Sequence, residues 1–309
     1  MQIQSRPSMM QRSLNLTIIS LTLATALLAC SSPSTPPNTA SPGSPTVTPT
    51  HPTTVTRVVA LTSLSADLIH RLDQTKLVGI PGSRLLRQNP ELAALPQVSE
   101  GQTPPNLEKI VALKPDLVIG ATGFHDQILA RLKATGIRTL TTQVTNWQAL
   151  QDLTRTLATE IGADPTPLLQ SYQSCLPAQP GQADSTLVLV SNQPLLAPNK
   201  TSWAGDLLTQ FQIPNVVADL QGNSPQRGYV TLSPEKVLEA NPKTLILVDA
   251  GDGAIAQLKT APFWNKLDAV TNDRVYTFDY FGLVNPGSIS AIEKTCQQLQ
   301  KIADSKTHS

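Results

Sequence analysis

A helix-to-strand pattern that occurs twice constrains the fold of this chain more than any other feature. The first copy spans residues 106–120 (NLEKIVALKPDLVIG) and the second spans residues 233–248 (SPEKVLEANPKTLILV). Glu108 in the first copy and Glu235 in the second differ by 127 positions, and the proline that follows each helix keeps this offset. Two copies in one register predict two similar lobes built from alternating helices and strands.

Each copy has the features of a short helix that runs into a buried strand. In the first copy, apolar residues recur at helical spacing in the residues before Lys114. Lys114 precedes a proline, and a residue in that position is disfavoured in a helix. The residues from Leu117 to Ile119 are then continuously apolar. Such a strand is typical of the centre of a parallel sheet that helices cover on both faces. The predicted fold class is therefore α/β, with a central parallel sheet in each lobe.

The order of the predicted elements divides the chain into two lobes and a connector. Strands and helices alternate over residues 55–145, the predicted N-terminal lobe, and again over residues 179–305, the predicted C-terminal lobe. Residues 146–178 contain two helical patterns, and they form the predicted connector. A helical connector restricts the lobes to small rotations, whereas free loops allow wide closure. Within the C-terminal lobe, the pattern predicts one strand near Val216.

The N-terminus has the pattern of an export signal followed by a tether. Residues 1–29 hold two arginines and a mainly apolar run, which ends at Cys30 in a motif, LLAC, that resembles a bacterial lipobox. We expect cleavage before Cys30 and its lipidation, and an ordinary signal without lipid is the alternative. Residues 30–54 are rich in Ser, Thr and Pro and predict a solvated tether. The folded part is then held on the periplasmic side of a bacterial membrane.

Charge and motif content argue against two broad classes of function. The net charge is +1 and the basic residues form no run, which argues against nucleic-acid binding. The chain has no G-x-G-x-x-G, Walker, G-x-S-x-G or H-E-x-x-H motif, so a catalytic role has little support. No resident cofactor or metal site is predicted. An enzyme on a doubly wound α/β scaffold is the alternative from another class.

Candidate ligand contacts fall in loops that follow strands. Aromatic residues make up 4% of the chain, and several of them lie at such loop ends rather than in apolar runs. Aromatic faces stack on flat ligands, so we predict that these residues line a cleft between the lobes, with core packing as the alternative for each. The predicted contacts are Trp203, Arg227, Tyr229, Tyr280 and Phe281, with Thr62, Thr122 and His125 nearby. A capping or solvated position is the alternative for His125, and a solvated one for Arg227.

The two remaining cysteines form a candidate disulfide. Once Cys30 carries lipid, Cys175 and Cys296 are an even pair in an oxidising compartment, where disulfides persist. Both cysteines lie late in predicted helices that should pack on the second lobe. Two separate buried thiols are the alternative.

From Arg57 onward, the sequence resembles the substrate-binding proteins of bacterial ABC importers for ferric siderophores, cobalamin and haem. The resemblance is carried by RVVAL at 57–61, NLEKIVALKPDLVI at 106–119, SPEKVL at 233–238 and RVY at 274–276. It implies two lobes bridged by a helical backbone, a shallow cleft between them and delivery of a bound chelate to a membrane permease.

The resemblance also implies a ligand class and partners. A ferric siderophore is the leading expectation, with cobalamin or haem as the nearest variant, although Gln102 stands where siderophore members often have arginine. The implied partners are an ABC permease dimer and its ATPase, and the implied state is a monomer. In family members the matching glutamates meet arginines on the permease, which implies docking roles for Glu108 and Glu235. Stabilisation of a helix N-terminus is the alternative for either one. A third hypothesis, beside the importer binding protein and the enzyme, is a structural envelope protein with an empty cleft.

Overall fold

A computed structural model of the protein describes residues 55–101, 103–178, 183–221, 224 and 226–304. The predicted signal peptide, Cys30 and the tether lie outside these residues, and so does Gln102. In the part of the chain that is described, none of the helices combines the length and apolar character that crossing a membrane requires.

The N-terminal lobe contains a four-stranded parallel sheet. Its elements are β1 (Val58–Ala60), α1 (Ser63–Asp73), β2 (Leu77–Gly79), α2 (Pro90–Ala93), α3 (Leu107–Ala112), β3 (Leu117–Ala121), α4 (Asp126–Ala134) and β4 (Arg138–Thr142). The strand order is β2-β1-β3-β4, and every neighbouring pair is parallel. β3 lies inside the sheet and is buried along most of its length, as its continuous apolar sequence predicts.

Two helices, α5 (Trp147–Ile161) and α6 (Thr166–Cys175), follow the N-terminal lobe in the sequence and form a helical connector. The side chain of Asn146 caps α5 by accepting a hydrogen bond of 2.7 Å from a backbone N–H of the first turn. The helix ends at Gly162, whose φ of 72° is left-handed. Asp164 then accepts a hydrogen bond of 2.9 Å from the first backbone N–H of α6. Local capping chemistry therefore sets both boundaries.

The C-terminal lobe contains a parallel sheet and a small antiparallel sheet. Its elements are β5 (Thr186–Leu189), β6 (Ser191–Asn192), β7 (Leu195–Pro198), α7 (Trp203–Gln210), β8 (Tyr229–Leu232), α8 (Pro234–Ala240), β9 (Thr244–Asp249), α9 (Ala254–Lys259), α10 (Asp268–Thr271), β10 (Val275–Asp279), α11 (Tyr280–Leu283) and α12 (Ile289–Asp304). The parallel sheet has the order β10-β9-β5, and the antiparallel sheet has the order β6-β7-β8.

The structure corrects the expectation of a strand near Val216. This segment forms turns, and its contact with the parallel sheet is a single bridge between Thr186 and Asn215. The Asn215 side chain accepts a hydrogen bond of 3.1 Å from the backbone N–H of Val217. Because this bond closes a turn, the apolar residues that follow Asn215 do not extend into a strand.

The two copies of the repeated pattern adopt the same local structure. Asn106 caps α3 and Ser233 caps α8, with side-chain oxygens that accept hydrogen bonds of 3.0 and 3.3 Å from the backbone N–H three residues on. The residue before the proline has a positive φ in both copies, 47° at Lys114 and 33° at Asn241. These residues keep the same offset as the rest of the pattern, and β3 and β9 both lie inside their parallel sheets. The predicted repeat is confirmed at the level of backbone conformation.

One hydrophobic core runs through both lobes and the connector. It includes Leu68 and Ile119 from the N-terminal lobe, Leu157 from α5, and Ile246 and Phe278 from the C-terminal lobe, all buried. Smaller apolar clusters belong to one lobe each. Separating the lobes would expose the shared core to water at a cost of about 25 cal/mol per Å² of apolar surface. The shared core therefore supports the prediction of small rotations rather than wide closure.

A disulfide joins Cys175, the last residue of α6, to Cys296 in α12, and the two Cα atoms lie 5.5 Å apart. The structure thus contains the candidate bridge rather than two separate thiols. The bridge fastens the connector to the helix that closes the C-terminal lobe. A surface depression of about 550 Å³ lies beside it, between α6 and α12, and none of the predicted ligand contacts line this depression.

Candidate functional site

The carboxyl ends of the parallel strands form one edge in each lobe. In the N-terminal lobe, Thr62 follows β1, and Thr122 and His125 follow β3. In the C-terminal lobe, Tyr280 follows β10 directly. Parallel strands end at the same side of their sheet, so residues far apart in sequence come together there. These edges are where ligands bind in open α/β sheets.

The two edges meet at Leu85 and Phe281. Leu85 lies in the loop that follows β2, and Phe281 lies just after β10. Gly287 sits between them, because a Cβ atom on this residue would lie 2.8 Å from Leu85 Cδ2 and 2.7 Å from Phe281 Cδ1. The candidate ligand site is therefore the space between the strand ends of the two lobes, with this contact at one side.

Three aromatic side chains, Tyr229, Tyr280 and Phe281, form the aromatic wall of the C-terminal edge. The rings of Tyr280 and Phe281 lie 5.5 Å apart and meet at 83°. Burial raises the pKa of the Tyr229 hydroxyl, and the neighbouring Tyr280 raises it further. Burial also raises the pKa of Tyr280. Both phenols are therefore protonated at neutral pH, and the aromatic wall carries no charge.

Charged residues lie next to residues of the aromatic wall in the sequence and at the carboxyl ends of β9 and β10. Arg227 lies two residues before Tyr229 and is exposed. Asp249 and Asp279 are exposed at the ends of β9 and β10, and Asp252 is exposed in the loop after β9. Each of these carboxylates accepts a hydrogen bond from a backbone N–H two residues on, at 2.8 to 3.0 Å. These three aspartates therefore place exposed carboxyl groups at and just after the carboxyl ends of β9 and β10.

The structure corrects the assignment of Trp203 to the ligand wall. The indole is buried, with 3% of its surface exposed, and it stacks on Trp147 with ring centroids 6.1 Å apart. Its Nε1 donates a hydrogen bond of 2.7 Å to the carbonyl oxygen of Gly282. Trp203 is the first residue of α7, and its side chain turns inward onto the connector rather than outward to the cleft. The alternative of core packing is correct for this residue.

The two threonines predicted near the cleft occupy different positions. Thr62 is half-buried and caps α1. Its hydroxyl accepts a hydrogen bond of 3.1 Å from the backbone N–H of Ser65 and lies 2.8 Å from the Ser65 hydroxyl. Thr122 is exposed in the loop after β3. The Thr122 side chain is therefore exposed to solvent, whereas the Thr62 hydroxyl is engaged in capping.

His125 is held by the backbone at the end of β3. Its Nδ1 accepts a hydrogen bond of 2.9 Å from the backbone N–H of Ala121. A nitrogen that accepts from an N–H carries no proton, so the network assigns the proton of the neutral ring to Nε2. Burial lowers the pKa of the imidazole, although the nearby Asp126 acts in the opposite direction. His125 is thus a neutral structural residue, and a metal ligand would need the Nε2 proton removed.

Phe124 is a candidate contact that the sequence analysis missed. It is 89% exposed, which is unusual for so large an apolar side chain. It follows Gly123 in the loop after β3, where Gly123 has a φ of 81° and its N–H donates to the carboxylate of Asp126 at about 3.0 Å. The rule that selected Tyr280 and Phe281, an aromatic residue in a loop after a strand, also applies to Phe124.

Glu108 and Glu235 lie in the first turns of α3 and α8 and are exposed. Each helix runs into a parallel strand, so its first turn lies at the carboxyl edge of the sheet, on the side of the cleft. The neighbouring lysines bind other acids: Lys109 pairs with Glu100 at 3.0 Å and Lys236 with Glu239 at 2.7 Å. Hydrogen bonds from the Glu235 backbone N–H and from the side chain of Ser233 lower the pKa of the Glu235 carboxyl.

These features define a class of protein. Two α/β lobes and a helical connector share one hydrophobic core, and an aromatic wall lies at strand ends of the C-terminal lobe, which is the architecture of a two-lobed protein that binds a small molecule between its lobes. Over the described ranges, no group of three or more His, Cys, Asp or Glu side chains is arranged to hold a metal ion.

The chain belongs to the periplasmic binding protein family, which matches residues 58–280. It is 28% identical over 257 residues to the vitamin B12-binding protein of Salmonella typhi, and this alignment covers 80% of the chain and 91% of that protein. Members of the family are non-enzymatic transport components that bind small ligands outside the cytoplasm, and those of ABC transporters work with a permease and an ATPase. The predictions of the family, of a role as an ABC transporter substrate-binding protein and of the lack of catalysis are confirmed.

Solved structures share the fold. An ABC transporter substrate-binding protein from Listeria monocytogenes EGD-e superimposes with a TM-score of 0.64 at 21% identity, covering 80% of this chain and 98% of that one. BtuF, the periplasmic vitamin B12 binding protein of Vibrio cholerae, superimposes with a TM-score of 0.62 at 23% identity. This match covers 81% of this chain and 96% of that one. The predicted α/β fold class with two lobes is confirmed.

Proposed function

We propose that this protein binds a corrinoid of the cobalamin type between its lobes and delivers it to an ABC permease. The observation that carries the proposal is the uncharged aromatic wall of Tyr229, Tyr280 and Phe281, because flat macrocycles pack against aromatic faces. Exposed Phe124 supplies a similar surface from the N-terminal lobe. The vitamin B12-binding relatives support this choice over the ferric siderophore that the sequence analysis placed first.

Electrostatics favours a corrinoid over an anionic chelate. Acidic siderophores carry negative charge, and so does haem through its propionates. The C-terminal edge carries the exposed side chains of Asp249, Asp252 and Asp279, and exposed Arg227 lies two residues before Tyr229 in the sequence. Like charges at close range are unfavourable. Cobalamin carries amide side chains and little net charge, so it suits the neutral rings of the C-terminal edge and a hydroxyl group such as that of Thr122 on the N-terminal edge.

Haem binding through an axial ligand is less well supported. Ligation by tyrosine requires the phenolate, and burial raises the pKa of both Tyr229 and Tyr280. Ligation by His125 requires Nε2 without its proton, whereas the hydrogen bond from Ala121 favours the tautomer that keeps it. A ferric siderophore is the second candidate ligand, because exposed Arg227 is placed to meet an acidic group.

We also propose that Glu108 and Glu235 dock the protein on the permease. The support is their equivalence within the repeat, their exposure and their first-turn positions in matching helices. Two acids related by the pseudo-symmetry of the lobes suit a permease built from two similar subunits. The Glu235 carboxyl is ionised at neutral pH, since its pKa is lowered.

The same proposal includes a lipid anchor at Cys30. The support is the LLAC motif and the Ser/Thr/Pro-rich composition of the segment from Ser31 to Thr54. Cys30→Ala should release the protein from membranes or leave the signal uncleaved. Unchanged membrane partition together with an unmodified Cys30 in the mass spectrum would contradict the anchor.

The ligand can be identified from protein purified in its native host. We expect the purified protein to carry the visible absorbance of a corrinoid, or to acquire it when cyanocobalamin is added to the apo protein. Haemin and a ferric siderophore, titrated in parallel, serve as competitors. Tight binding of either competitor, with no binding of cyanocobalamin, would overturn the corrinoid proposal while leaving the binding class intact.

A further inference from the structure

Trp203 is hydrogen-bonded to the backbone of the segment that carries two residues of the aromatic wall. Gly282 directly follows Phe281, the wall residue that comes last in the sequence. Its carbonyl oxygen accepts the hydrogen bond of 2.7 Å from Trp203 Nε1. Both partners of this bond are buried. Trp203 is therefore attached to the backbone of the segment that carries Tyr280 and Phe281, although its own side chain does not reach the cleft.

The segment that receives this bond has a fixed backbone conformation. Gly282 has a φ of 109°, and a Cβ atom on it would lie 2.4 Å from both the Ala291 oxygen and Thr295 Oγ1 of α12, so only glycine fits. The N–H of Gly282 donates to the carbonyl of Asn285 at 2.7 Å. The carbonyl oxygen of Tyr280 accepts hydrogen bonds from the backbone N–H groups of Val284 at 3.0 Å and Asn285 at 3.1 Å.

On its other side, Trp203 is joined to the start of the connector. Its ring stacks on that of Trp147, with an interplanar angle of 25°. The backbone N–H of Trp147 also donates a hydrogen bond of 2.7 Å to the carboxylate of Asp206, one turn further along α7. Trp147 is the first residue of α5, directly after the N-terminal lobe. Two contacts thus hold α7 to the point where the chain leaves that lobe.

We propose that Trp203 is a positioning residue that couples the aromatic wall to the inter-lobe connector. The path runs from Trp147 through the Trp203 indole to the carbonyl of Gly282, and from there to Tyr280 and Phe281. A small rotation of the lobes about the connector then shifts the wall against the ligand, and a ligand that packs on the wall favours one lobe orientation. This inference rests on the proposed function for its ligand, but the contacts themselves do not depend on the ligand.

A first experiment needs no ligand. Trp203→Phe keeps an aromatic ring on Trp147 and removes the donor to Gly282. Amide hydrogen exchange followed by mass spectrometry should show faster exchange in the peptide covering 280–287. Trp264→Phe is the matched control, because Trp264 is equally a buried tryptophan but belongs to the separate apolar cluster of the C-terminal lobe. Equal protection of 280–287 in wild type and Trp203→Phe would overturn the positioning role.

A second experiment measures the consequence for binding, with cyanocobalamin as the probe. Trp203→Phe should weaken binding by up to roughly fivefold, the limit reached if the free energy of this one hydrogen bond is lost entirely from the bound state. In a Tyr280→Ala background, the same substitution should change affinity less than twofold, because its effect acts through the wall. Equal losses in both backgrounds would overturn the coupling. If wild type does not bind cyanocobalamin, the corrinoid proposal fails, and the exchange experiment still decides the positioning role.

Discussion

The carboxylate of Asp67 in α1 accepts a hydrogen bond of 2.7 Å from the backbone N–H of Ile289, the first residue of α12. Asp67 is buried and also pairs with Arg71 at 3.1 Å. Arg71 in turn donates a hydrogen bond of 2.7 Å to the hydroxyl of Ser290. A side chain of the N-terminal lobe therefore caps the helix that closes the C-terminal lobe. This contact joins the lobes in addition to the connector and the shared core.

Replacing Asp67 should destabilise the whole protein. Asp67→Ala leaves the N–H of Ile289 without its acceptor and Arg71 without its ion pair, and we expect a loss of about 2–3 kcal/mol in the free energy of unfolding. Asp67→Asn should cost less, since the amide oxygen still accepts. Urea unfolding followed by circular dichroism measures both. Asp152→Ala, at an exposed ion pair on α5, is the control and should change stability by less than about 0.5 kcal/mol. An Asp67→Ala variant as stable as this control would contradict the capping role.

The disulfide should contribute a large part of the stability. Cys175 and Cys296 are 121 positions apart, and the chain-entropy model gives about 4–5 kcal/mol for a loop of this size. The double variant Cys175→Ser with Cys296→Ser should therefore unfold at clearly lower urea concentration. Thiol counting in denaturant, before and after reduction, should differ by two thiols per chain. An unchanged count would show that the cysteines are not bridged.

Acidification should weaken the contact between His125 and the end of β3. The pKa of His125 is lowered in the folded protein by burial, so the unfolded chain takes up this proton at higher pH than the folded one. The neutral His125 side chain therefore makes its full contribution to the free energy of unfolding above about pH 6.5, the ordinary pKa of histidine. This contribution is lost as the pH falls below that value. An NMR titration of the imidazole, assigned with His125→Asn, measures this directly. A midpoint at or above about 6.5 would contradict the assignment.

The sequence predicted most of the fold because the decisive signals are local. The cap at Asn146, the left-handed Gly162 and the proline after each copy of the repeat fix helix boundaries within a few residues. The continuous apolar strands β3 and β9 can only be buried in the middle of a sheet. The small antiparallel sheet was not predicted, since its strands of two to four residues are too short for periodicity to be visible.

The candidate site was harder to predict because it depends on side-chain direction. Trp203 and Tyr229 both lie at element starts near loops, yet the first is buried and the second is half-buried. At the first turn of a helix the sequence does not say which way a side chain points, and here the direction follows from packing on Trp147. Phe124 follows the same sequence pattern as Tyr280 and Phe281, an aromatic residue in a loop after a strand, so the sequence alone is enough to identify it as a candidate contact.

Removing the two equivalent glutamates should weaken docking without affecting ligand binding. Glu108→Gln combined with Glu235→Gln should reduce binding to the permease roughly three- to tenfold, and more at low salt than at high salt, because exposed charges are screened. Cyanocobalamin affinity and thermal stability should stay close to wild type. Glu239→Gln, an exposed acid on α8, is the control. A double variant that binds the permease normally, or one that loses ligand affinity instead, would show that these residues do not dock.

Calorimetric titration with cyanocobalamin tests most directly whether the aromatic wall binds a corrinoid. Wild type should bind with one site per chain, while Tyr229→Ala and Tyr280→Ala should each weaken binding by about 1–3 kcal/mol, as buried aromatic anchors do. Tyr276→Phe, within β10 and away from the strand end, should bind like wild type. Wild-type affinity in both alanine variants would contradict the assignment of the site.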